Sequence, residues 1–413
     1  MAKRSWFLLA PFVFFVGFLA CQTNPIFTRF SDSPISDKGV VDSFLEKHWA
    51  RPIGSQGQPP QNLTVHGITL DAKSCGKCHV EQFNSWKGSL HAHAMGPGVF
   101  GQLVEMAPHS RKDHQACIRC HAPLYEQAQS LVNALEKKRR NPLSHDLTQQ
   151  GVTCAACHVR EYQWYGPSRR DGSSVAESVA PEFPHNAWQT TPAFEDSKFC
   201  ASCHQFSKGD PSVNGKLLEN TYEEWRESRF AREGVTCQKC HMPDRRHLWR
   251  GIHDPETVGK GVLISNAQLR IEGGIVISAL TVESKEIGHL FPTYVTPRVL
   301  MEIFQEDREG REIKGTRKRS VIGREVTIDL ETEVADTRLA PGEKVTLDYR
   351  EPIQKSAVSL VLRVRVEPDE FYTRFYQALI RQGVAKKGKS LIQQALKNSL
   401  NSHYDLYLNR QKL

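Results

Sequence analysis

Five Cys-x-x-Cys pairs, each followed at once by a histidine, are the residues of this chain best suited to do chemistry. They are Cys75, Cys78 and His79; Cys117, Cys120 and His121; Cys154, Cys157 and His158; Cys200, Cys203 and His204; and Cys237, Cys240 and His241. Two thiols at this spacing can add across the two vinyl groups of one porphyrin, and the next imidazole can bind its iron. The pattern predicts five covalently attached c-type haems with these five histidines as proximal ligands.

Other uses of paired cysteines explain the pattern less well. Zinc ribbons use two Cys-x-x-Cys pairs but do not need a histidine at this offset every time. A redox Cys-x-x-Cys occurs singly, and structural disulfides join distant segments rather than cysteines two residues apart. Haem attachment is therefore the interpretation that accounts for all five histidines.

A low-spin electron-transfer haem also needs a sixth ligand, most often a second imidazole, whereas a catalytic haem leaves that position open. His91 lies twelve residues after His79, and the sequence predicts a helix over Val80–Met95. About 18 Å then separate the two histidines along the helix, so His91 would serve another haem. His93 lies roughly 200° around that helix and would point elsewhere.

Several other histidines could be the sixth ligand of a haem, and the sequence does not choose among them. His247 and His253 follow the fifth motif, His289 lies in the later β-rich region, and the second haem could use His109, His114 or His145. Ligation by Met95 or Met242 is a lesser alternative. The remaining candidates are expected to be exposed: His48, His66 and His403.

Three segments carry a more specific resemblance. Lys73–His79, continuing through Ser85–Met95, resembles the first-haem segment of the tetrahaem cytochromes that accept electrons from hydroxylamine oxidoreductase. Gly151–His158 resembles their third-haem segment and Phe199–His204 their fourth, in the same order. The resemblance implies that His91 caps the third haem, that His185 caps the first, and that the second has no protein sixth ligand. The fifth motif and the β-rich region depart from that family.

The sequence also repeats part of itself. Trp86-Lys-Gly-Ser89-Leu-His91-Ala92 corresponds to Trp225-Arg-Glu-Ser228-Arg-Phe230-Ala231, and Gly151-Val-Thr-Cys154 corresponds to Gly234-Val-Thr-Cys237. This echo indicates haem-binding segments that arose by duplication, with Phe230 in place of a histidine.

The segments that must position these residues differ in composition along the chain. We expect a signal peptide over 1–21, a linker over 22–65, a mainly α and irregular pentahaem domain over 66–261, a β-sandwich over 262–368 and a helical tail over 369–413. The strands are predicted from alternating apolar residues between turn signals, at 275–282, 299–304, 326–330, 345–349 and 358–366.

The first 21 residues have the pattern of an export signal. Lys3 and Arg4 precede an apolar run from Trp6 to Ala20, and Cys21 follows it where a lipoprotein signal would be cleaved and acylated. We therefore expect an exported, periplasmic, membrane-anchored lipoprotein. Plain secretion and a retained anchor are the alternatives.

The net charge of +8 does not indicate nucleic-acid binding, because the propionates of five haems would offset most of it. The basic stretch Lys314, Arg317, Lys318 and Arg319 is interpreted as a solvated loop. Docking of that region to a partner or to a second copy is the alternative.

The leading functional hypothesis is electron transfer, between a redox-protein donor and acceptor, through closely packed and mostly bis-histidine haems. The rival is a multihaem oxidoreductase with one open haem that acts on a small nitrogen compound. The chain contains no Cys-x-x-Cys-Lys motif of the kind used by pentahaem nitrite reductases, so we favour a carrier over an enzyme.

Overall fold

The computed structural model describes residues 35–106, 111–136, 147–173 and 183–413. The predicted signal peptide, the acylation site at Cys21, the first part of the linker, His109 and His145 lie outside these residues. Among the described helices, none is both long enough and apolar enough to cross a membrane.

The part of the chain that holds the five motifs is built from short helices and loops. Four of the motifs end a helix, because Cys-x-x-Cys-His occupies a little more than one helical turn and places both thiols on one side of it. In the first motif, Cys75 ends one helix and His79 precedes the next. The helices are α1 (Ile35–His48), α2 (Ala72–Cys75), α3 (Val80–Trp86), α4 (Pro97–Glu105), α5 (Arg111–His121), α6 (Tyr125–Glu136), α7 (Cys154–His158), α8 (Lys198–His204), α9 (Thr221–Arg226), α10 (Arg229–Arg232), α11 (Cys237–His241) and α12 (Pro255–Gly261).

Short strands fill the gaps between these helices. Two small sheets form, one of three strands in the order β1-β2-β3 and one of two strands, β4 with β5. The strands are β1 (Val159–Arg160), β2 (Gln163–Gly166), β3 (Gln189–Thr190), β4 (Ser212–Val213) and β5 (Lys216–Leu217).

Part of the segment expected to be a linker, 22–65, is helical. Residues 35–48 form α1, which buries Val41 and Leu45 against Ala193. The Pro-, Gly- and Ser-rich composition that suggested a tether belongs to the stretch that follows the helix.

The helix predicted over Val80–Met95 is also shorter than expected. It ends at Trp86, and successive turns then carry the chain to α4. The Ser89 hydroxyl donates to the Trp86 carbonyl at 2.7 Å and accepts the Ala92 N–H, so a side chain competes for the backbone groups that would continue the helix. His91 therefore lies in a turn, and its direction follows from tertiary packing.

From residue 262 the chain is β-rich and forms two antiparallel sheets. One has the order β11-β10-β9-β13-β14, and the other has the order β12-β8-β6 with β7 also paired to β8. Inward residues of both sheets share one core cluster that includes Leu280, Met301, Tyr349 and Leu362. The strands are β6 (Val262–Asn266), β7 (Arg270–Glu272), β8 (Ile275–Ser284), β9 (Arg298–Glu306), β10 (Lys318–Val326), β11 (Glu333–Asp336), β12 (Lys344–Pro352), β13 (Ser359–Glu367) and β14 (Tyr404–Lys412).

Four of the five predicted strands are confirmed, as β8, β9, β12 and β13. The strand predicted over 326–330 is wrong, because β10 ends at Val326 and the chain then turns with Leu330 at a φ of 61°.

The basic stretch is a solvated turn only at Lys314, and its other three residues form ion pairs in β10 and just before it. Arg317 and Arg319 both pair with the buried carboxylate of Glu302 on β9, and Lys318 pairs with Glu351.

The tail is helical only in part. Helices α13 (Glu370–Arg381) and α14 (Lys389–Leu400) occur where the apolar spacing predicted them, but the last residues form β14, at the edge of the larger sheet beside β13. Helix α14 packs closely on α4 of the motif-bearing part, since a Cβ on Gly101 would lie 2.8 Å from Ile392. The helices therefore join the β-rich part to the motif-bearing part.

Candidate site: paired histidines and thiols of five motifs

None of the ten motif cysteines is joined in a disulfide to another described residue, and cysteines of different motifs lie close to one another. In three such pairs each side chain shifts the pKa of the other: Cys75 with Cys154, Cys120 with Cys203, and Cys200 with Cys237. The first motif is thus next to the third, and the fourth lies between the second and the fifth. These pairs divide the motifs into two groups, the first with the third, and the second, fourth and fifth together.

Four of the five motif histidines have a second imidazole at a nearly constant distance. The ring centroids are 6.4 Å apart for His79 and His185, 6.2 Å for His158 and His247, 6.2 Å for His204 and His91, and 6.4 Å for His241 and His289. These imidazoles are too far apart for direct hydrogen bonding and too evenly spaced for chance contact.

The spacing fits a metal ion between the rings. A metal–imidazole bond is about 2.0–2.1 Å long, so two imidazoles bound on opposite sides of one ion would have centroids about 6.3 Å apart. The four observed distances lie within about 0.1 Å of that value. The residues present therefore fit hexacoordinate haem iron, with one motif histidine and one distant histidine for each ion.

Hydrogen bonds at Nδ1, the ring nitrogen away from the metal position, hold these imidazoles in the orientation that metal binding needs. Nδ1 donates to a backbone carbonyl in several of these histidines, at 2.7–3.0 Å, and a carbonyl can only accept. The proton is therefore on Nδ1, and the Nε2 lone pair is free to bind a metal. The pairs are His121 with Ala94, His158 with Tyr165, His185 with Ala187, His241 with Arg250, His247 with Arg245 and His289 with Leu290.

Burial keeps four of these imidazoles neutral, which a metal ligand must be. Desolvation, together with the neighbouring imidazoles, lowers the pKa of His91 to about 3. Burial likewise lowers the pKa of His158, His204 and His289 to about 4. None of these four side chains is protonated near neutral pH.

The structure places the predicted distal histidines as follows. His185 lies opposite His79, the motif histidine of the haem that the resemblance expects His185 to cap. His91 lies opposite His204 of the fourth motif rather than His158 of the third, because the turns after α3 direct it there. His247 takes the place opposite His158.

His253 occupies a different environment from the other candidates. Its Nε2 lies 3.1 Å from the Asp369 carboxylate, just before α13. This contact ties the segment after the fifth motif to the C-terminal helices.

His48 was expected to be exposed, and that expectation is wrong. It is 3% exposed, its Nε2 donates to the carbonyl of Cys157 at 2.8 Å, and its ring stacks on Phe44. Burial lowers its pKa to about 3. The sequence offers no sign of this role, because more than a hundred residues separate His48 from the motif that it supports.

The second motif differs from the others. His121 donates through Nδ1 to Ala94 at 2.7 Å, but no histidine in the described part of the chain lies opposite it. His114 lies seven residues earlier on the same face of α5 and is 1% exposed. Neither of its ring nitrogens has a hydrogen-bond partner among the described residues.

The repeated sequence forms a repeated structure. The Trp86 indole donates to the Val152 carbonyl at 2.8 Å, and the Trp225 indole donates to the Val235 carbonyl at 2.9 Å. Each valine lies two residues before the first cysteine of a motif and follows a glycine of positive φ, 61° at Gly151 and 68° at Gly234. The repeated sequence therefore corresponds to a repeated tryptophan–carbonyl hydrogen bond, which fixes the backbone just before the third and the fifth motif.

Comparison with known proteins agrees with this chemistry. The profile of the family described as cytochrome c554 and c-prime matches residues 74–146. A cytochrome c-552 of Aliarcobacter butzleri is 28% identical over 134 residues, which are 31% of this chain and 26% of that protein. The cytochrome c-554 of Nitrosomonas europaea is 27% identical over 163 residues, which are 38% of this chain and 66% of that protein.

The cytochrome c-type protein TorY of Haemophilus influenzae is 21% identical over 225 residues, which are 50% of this chain and 55% of that protein. The chain thus spans between a quarter and two thirds of the length of these relatives. Its fold is similar to the crystal structure of a penta-heme cytochrome c552 from Thermochromatium tepidum, with a TM-score of 0.59 and 17% identity, over 84% of this chain and 99% of that one. With its Cys-x-x-Cys-His motifs and these similarities, the chain is a multihaem cytochrome of the c type.

Proposed function

We propose that this protein is an exported pentahaem cytochrome c that carries electrons through closely packed haems, four of them bound by two histidines. Its cytochrome relatives support an electron-transfer role. The observation that carries the proposal is the constant 6.2–6.4 Å spacing of four imidazole pairs, each of which contains one motif histidine.

In this proposal each motif holds one haem through two thioethers and one proximal histidine. The distal ligands are His185 for the first haem, His247 for the third, His91 for the fourth and His289 for the fifth. The haems supply one-electron iron chemistry, with low potentials typical of imidazole pairs. The protein holds the imidazoles neutral and correctly oriented, and it excludes water from them.

The contacts between motifs suggest the order in which electrons pass. The thiol contacts connect the first motif to the third and connect the fourth to both the second and the fifth. Cys157 of the third motif links these two groups, because it lies near enough to Cys200 and Cys203 of the fourth to raise the pKa of both. The fourth haem would then be a branch point.

The β-rich part takes a direct role in this proposal, because His289 comes from it. We interpret its two sheets, which share a core, as a β-sandwich that begins near residue 262. The pentahaem domain would cover 66–261, preceded by the helix that ends at His48.

Export follows from the chemistry of c-type haem, which is attached outside the cytoplasm, and from the signal pattern in the first 21 residues. We propose that the mature protein acts on the periplasmic side, is anchored by a lipid at Cys21, and exchanges electrons with a protein donor and acceptor.

The proposal is tested on the purified full-length protein. A pyridine haemochromogen assay should give five c-type haems per chain, and the reduced visible spectrum should be that of low-spin haem. Four or fewer haems, or paired cysteines that carry zinc, would contradict it.

The alternative, an oxidoreductase with one open haem, depends on the second motif, because no described histidine lies opposite His121. It predicts a high-spin ferric EPR signal from one haem in five and binding of CO or NO to that haem. An entirely low-spin spectrum that does not change with CO would exclude it and would assign a sixth ligand to the second haem.

A further inference from the structure

The fourth motif histidine has an outer partner of a different kind. The Nδ1 of His204 lies 2.8 Å from the phenol oxygen of Tyr294, whereas the other motif histidines with a partner at this nitrogen use a backbone carbonyl. A hydroxyl, unlike a carbonyl, can both accept a hydrogen bond and pass one on. Tyr294 follows His289 by five residues in the same loop of the β-rich part.

Behind Tyr294 lies a chain of short hydrogen bonds that ends at two carboxyl groups. The Thr221 hydroxyl, which also contacts the Tyr294 phenol, lies 2.8 Å from Oε1 of Glu219 and 2.7 Å from the Thr293 hydroxyl. The Thr293 hydroxyl lies 2.6 Å from Oε2 of Glu224.

Counting hydrogens shows that one carboxyl group must be protonated. The contacts of Glu219 with Thr221, of Thr221 with Thr293, and of Thr293 with Glu224 need three hydrogens. The two threonine hydroxyls supply only two. The third hydrogen must come from Glu219 or Glu224.

The groups around the two carboxyls place this third hydrogen on Glu219. Glu224 also accepts from the Arg338 guanidinium at 3.2 Å and from the Leu290 N–H at 3.2 Å, which stabilise its anion. Burial raises the pKa of Glu224, but these donors oppose the shift. Among the described residues, Glu219 forms no ion pair with a lysine or an arginine, and no cation is a main influence on its pKa.

The main charges that act on Glu219 favour its protonation. Burial, with smaller contributions from Glu224 and from Cys120 of the second motif, raises its pKa to about 8. The groups that lower the pKa are the hydroxyl and the backbone N–H of Thr221, and both are neutral. A thioether at Cys120 would remove that contribution and leave burial as the dominant cause.

We propose that Glu219 is a proton-binding site coupled, through Thr221 and Tyr294, to the redox state of the haem held by His204. This inference rests on the proposed function, because it requires His204 to be a haem ligand. One electron from a one-electron donor reduces Fe³⁺ to Fe²⁺, and one proton from solvent binds the Glu219 carboxylate. Reoxidation releases both.

The direction of the coupling follows from charge. Reduction removes one positive charge near Glu219, so the carboxyl binds its proton more tightly when the haem is reduced. By linkage, protonation raises the potential of that haem by the same free energy. The potential therefore falls as pH rises between the pKa of the oxidised form and that of the reduced form.

Potentiometric titrations of the full-length holoprotein, at a series of pH values on both sides of pH 8, test this coupling. We expect one haem whose potential falls with pH in the native protein, and we expect that slope to be lost in Glu219→Gln. The matched control is Glu309→Gln, an exposed turn carboxylate paired with Arg311, which should keep the slope. A Glu219→Gln protein with five haems and an unchanged slope would overturn the proposal.

A second measurement decides the question if Glu219→Gln does not take up haem. The redox-difference infrared spectrum of the native protein should contain the C=O stretch of a protonated carboxyl group, which shifts in D₂O. The absence of such a band would also overturn the proposal. Tyr294→Phe, which keeps Glu219 but breaks its connection to His204, should raise the potential of one haem and weaken the slope.

These results also separate the inference from the proposed function. If His204 were not a ligand, the native protein would contain fewer than five haems, or His204→Ala would leave its low-spin spectrum unchanged. If only the inference failed, all five haems would be present and the potentials would be independent of pH.

Discussion

The backbone carbonyl of Phe230 accepts the N–H of Val235 at 2.8 Å, and the carbonyl of His91 accepts that of Val152 at the same distance. The two residues thus hold equivalent positions in the two copies of the repeated segment. His91 lies opposite His204, whereas Phe230 is buried against Gly288, beside the His289 loop. The first copy provides the His91 imidazole. The second copy packs, through Phe230, against the loop that provides the His289 imidazole.

We expect Trp86→Phe to lower the free energy of unfolding by about 1–2 kcal/mol more than its loss of packing alone. The substitution leaves the partly buried Val152 carbonyl without its donor, and an unpaired buried group costs about that much. Chemical denaturation followed by far-UV circular dichroism measures the change. The control is Trp49→Phe, because the buried Nε1 of Trp49 has no hydrogen-bond partner in the described residues. Equal losses in the two variants would contradict the prediction.

Replacing His289, the proposed distal ligand of the fifth haem, should open that haem to ligands. In His289→Ala we expect one of five haems to become high-spin and to bind CO, since its iron would keep only His241. Optical CO titration and EPR measure the fraction. His253→Ala, which removes a surface contact to Asp369, should leave the spectrum unchanged. High-spin haem in His253→Ala but not in His289→Ala would reverse the assignment.

A thioether in place of the His91 imidazole should raise the potential of the fourth haem. Methionine favours the reduced iron, so we expect His91→Met to raise one potential by on the order of 0.1 V, within the range of about 0.8 V that axial ligands cover. Potentiometric titration measures this shift. The matched control is His93→Met, because His93 is exposed and its Nδ1 donates to Ser89. A shift in the control, or none in His91→Met, would contradict the proposed ligand set.

Glu302 should make the β-rich part sensitive to acid. Burial raises the pKa of this carboxyl, but hydrogen bonds from Arg363, Arg319 and Arg317 outweigh burial and lower the pKa to about 2. Because the folded-state pKa lies below the unfolded value of about 4.5, the contribution is complete above pH 4.5 and is lost as pH falls through 2. The shift corresponds to about 3 kcal/mol.

Thermal unfolding between pH 6 and pH 2 should therefore show Glu302→Gln to be less stable than the native protein at pH 6, with a difference that narrows toward pH 2. Glu309→Gln, in an exposed turn, is the control and should follow the native curve. A difference that does not change with pH would contradict the assignment of the low pKa to Glu302.

The sequence predicts the chemistry of this protein better than its geometry. The five motifs define the cofactor because thiol spacing and an adjacent imidazole are local properties. The strand from Ile275 was predictable because residues that face the core alternate along it with residues that face away from the core. Strand β14 was not predictable from the sequence. An edge strand of a sheet can carry polar residues, and Asp405, Asn409 and Lys412 obscure the apolar pattern that would have indicated a strand.

The pairing of histidines could not be predicted in the same way. His91 and His204 are more than a hundred residues apart, and their meeting depends on where α3 stops. The Ser89 hydroxyl determines where α3 stops, and the helical periodicity of the sequence does not reveal this effect. Likewise, nothing in the local sequence of His48 distinguishes a buried support from an exposed side chain.

The loop that carries His289 and Tyr294 has a consequence for how the protein is made. Both residues leave the ribosome after all five motifs have been synthesised. If haem binds as proposed, porphyrin could be joined to every thiol pair before the fourth and fifth sites have their final contacts. Maturation must then continue past covalent attachment, until the C-terminal strands have folded and brought this loop inward. A chain cut short before residue 289 would be coloured but incompletely assembled, and colour alone is therefore a poor measure of correct biogenesis.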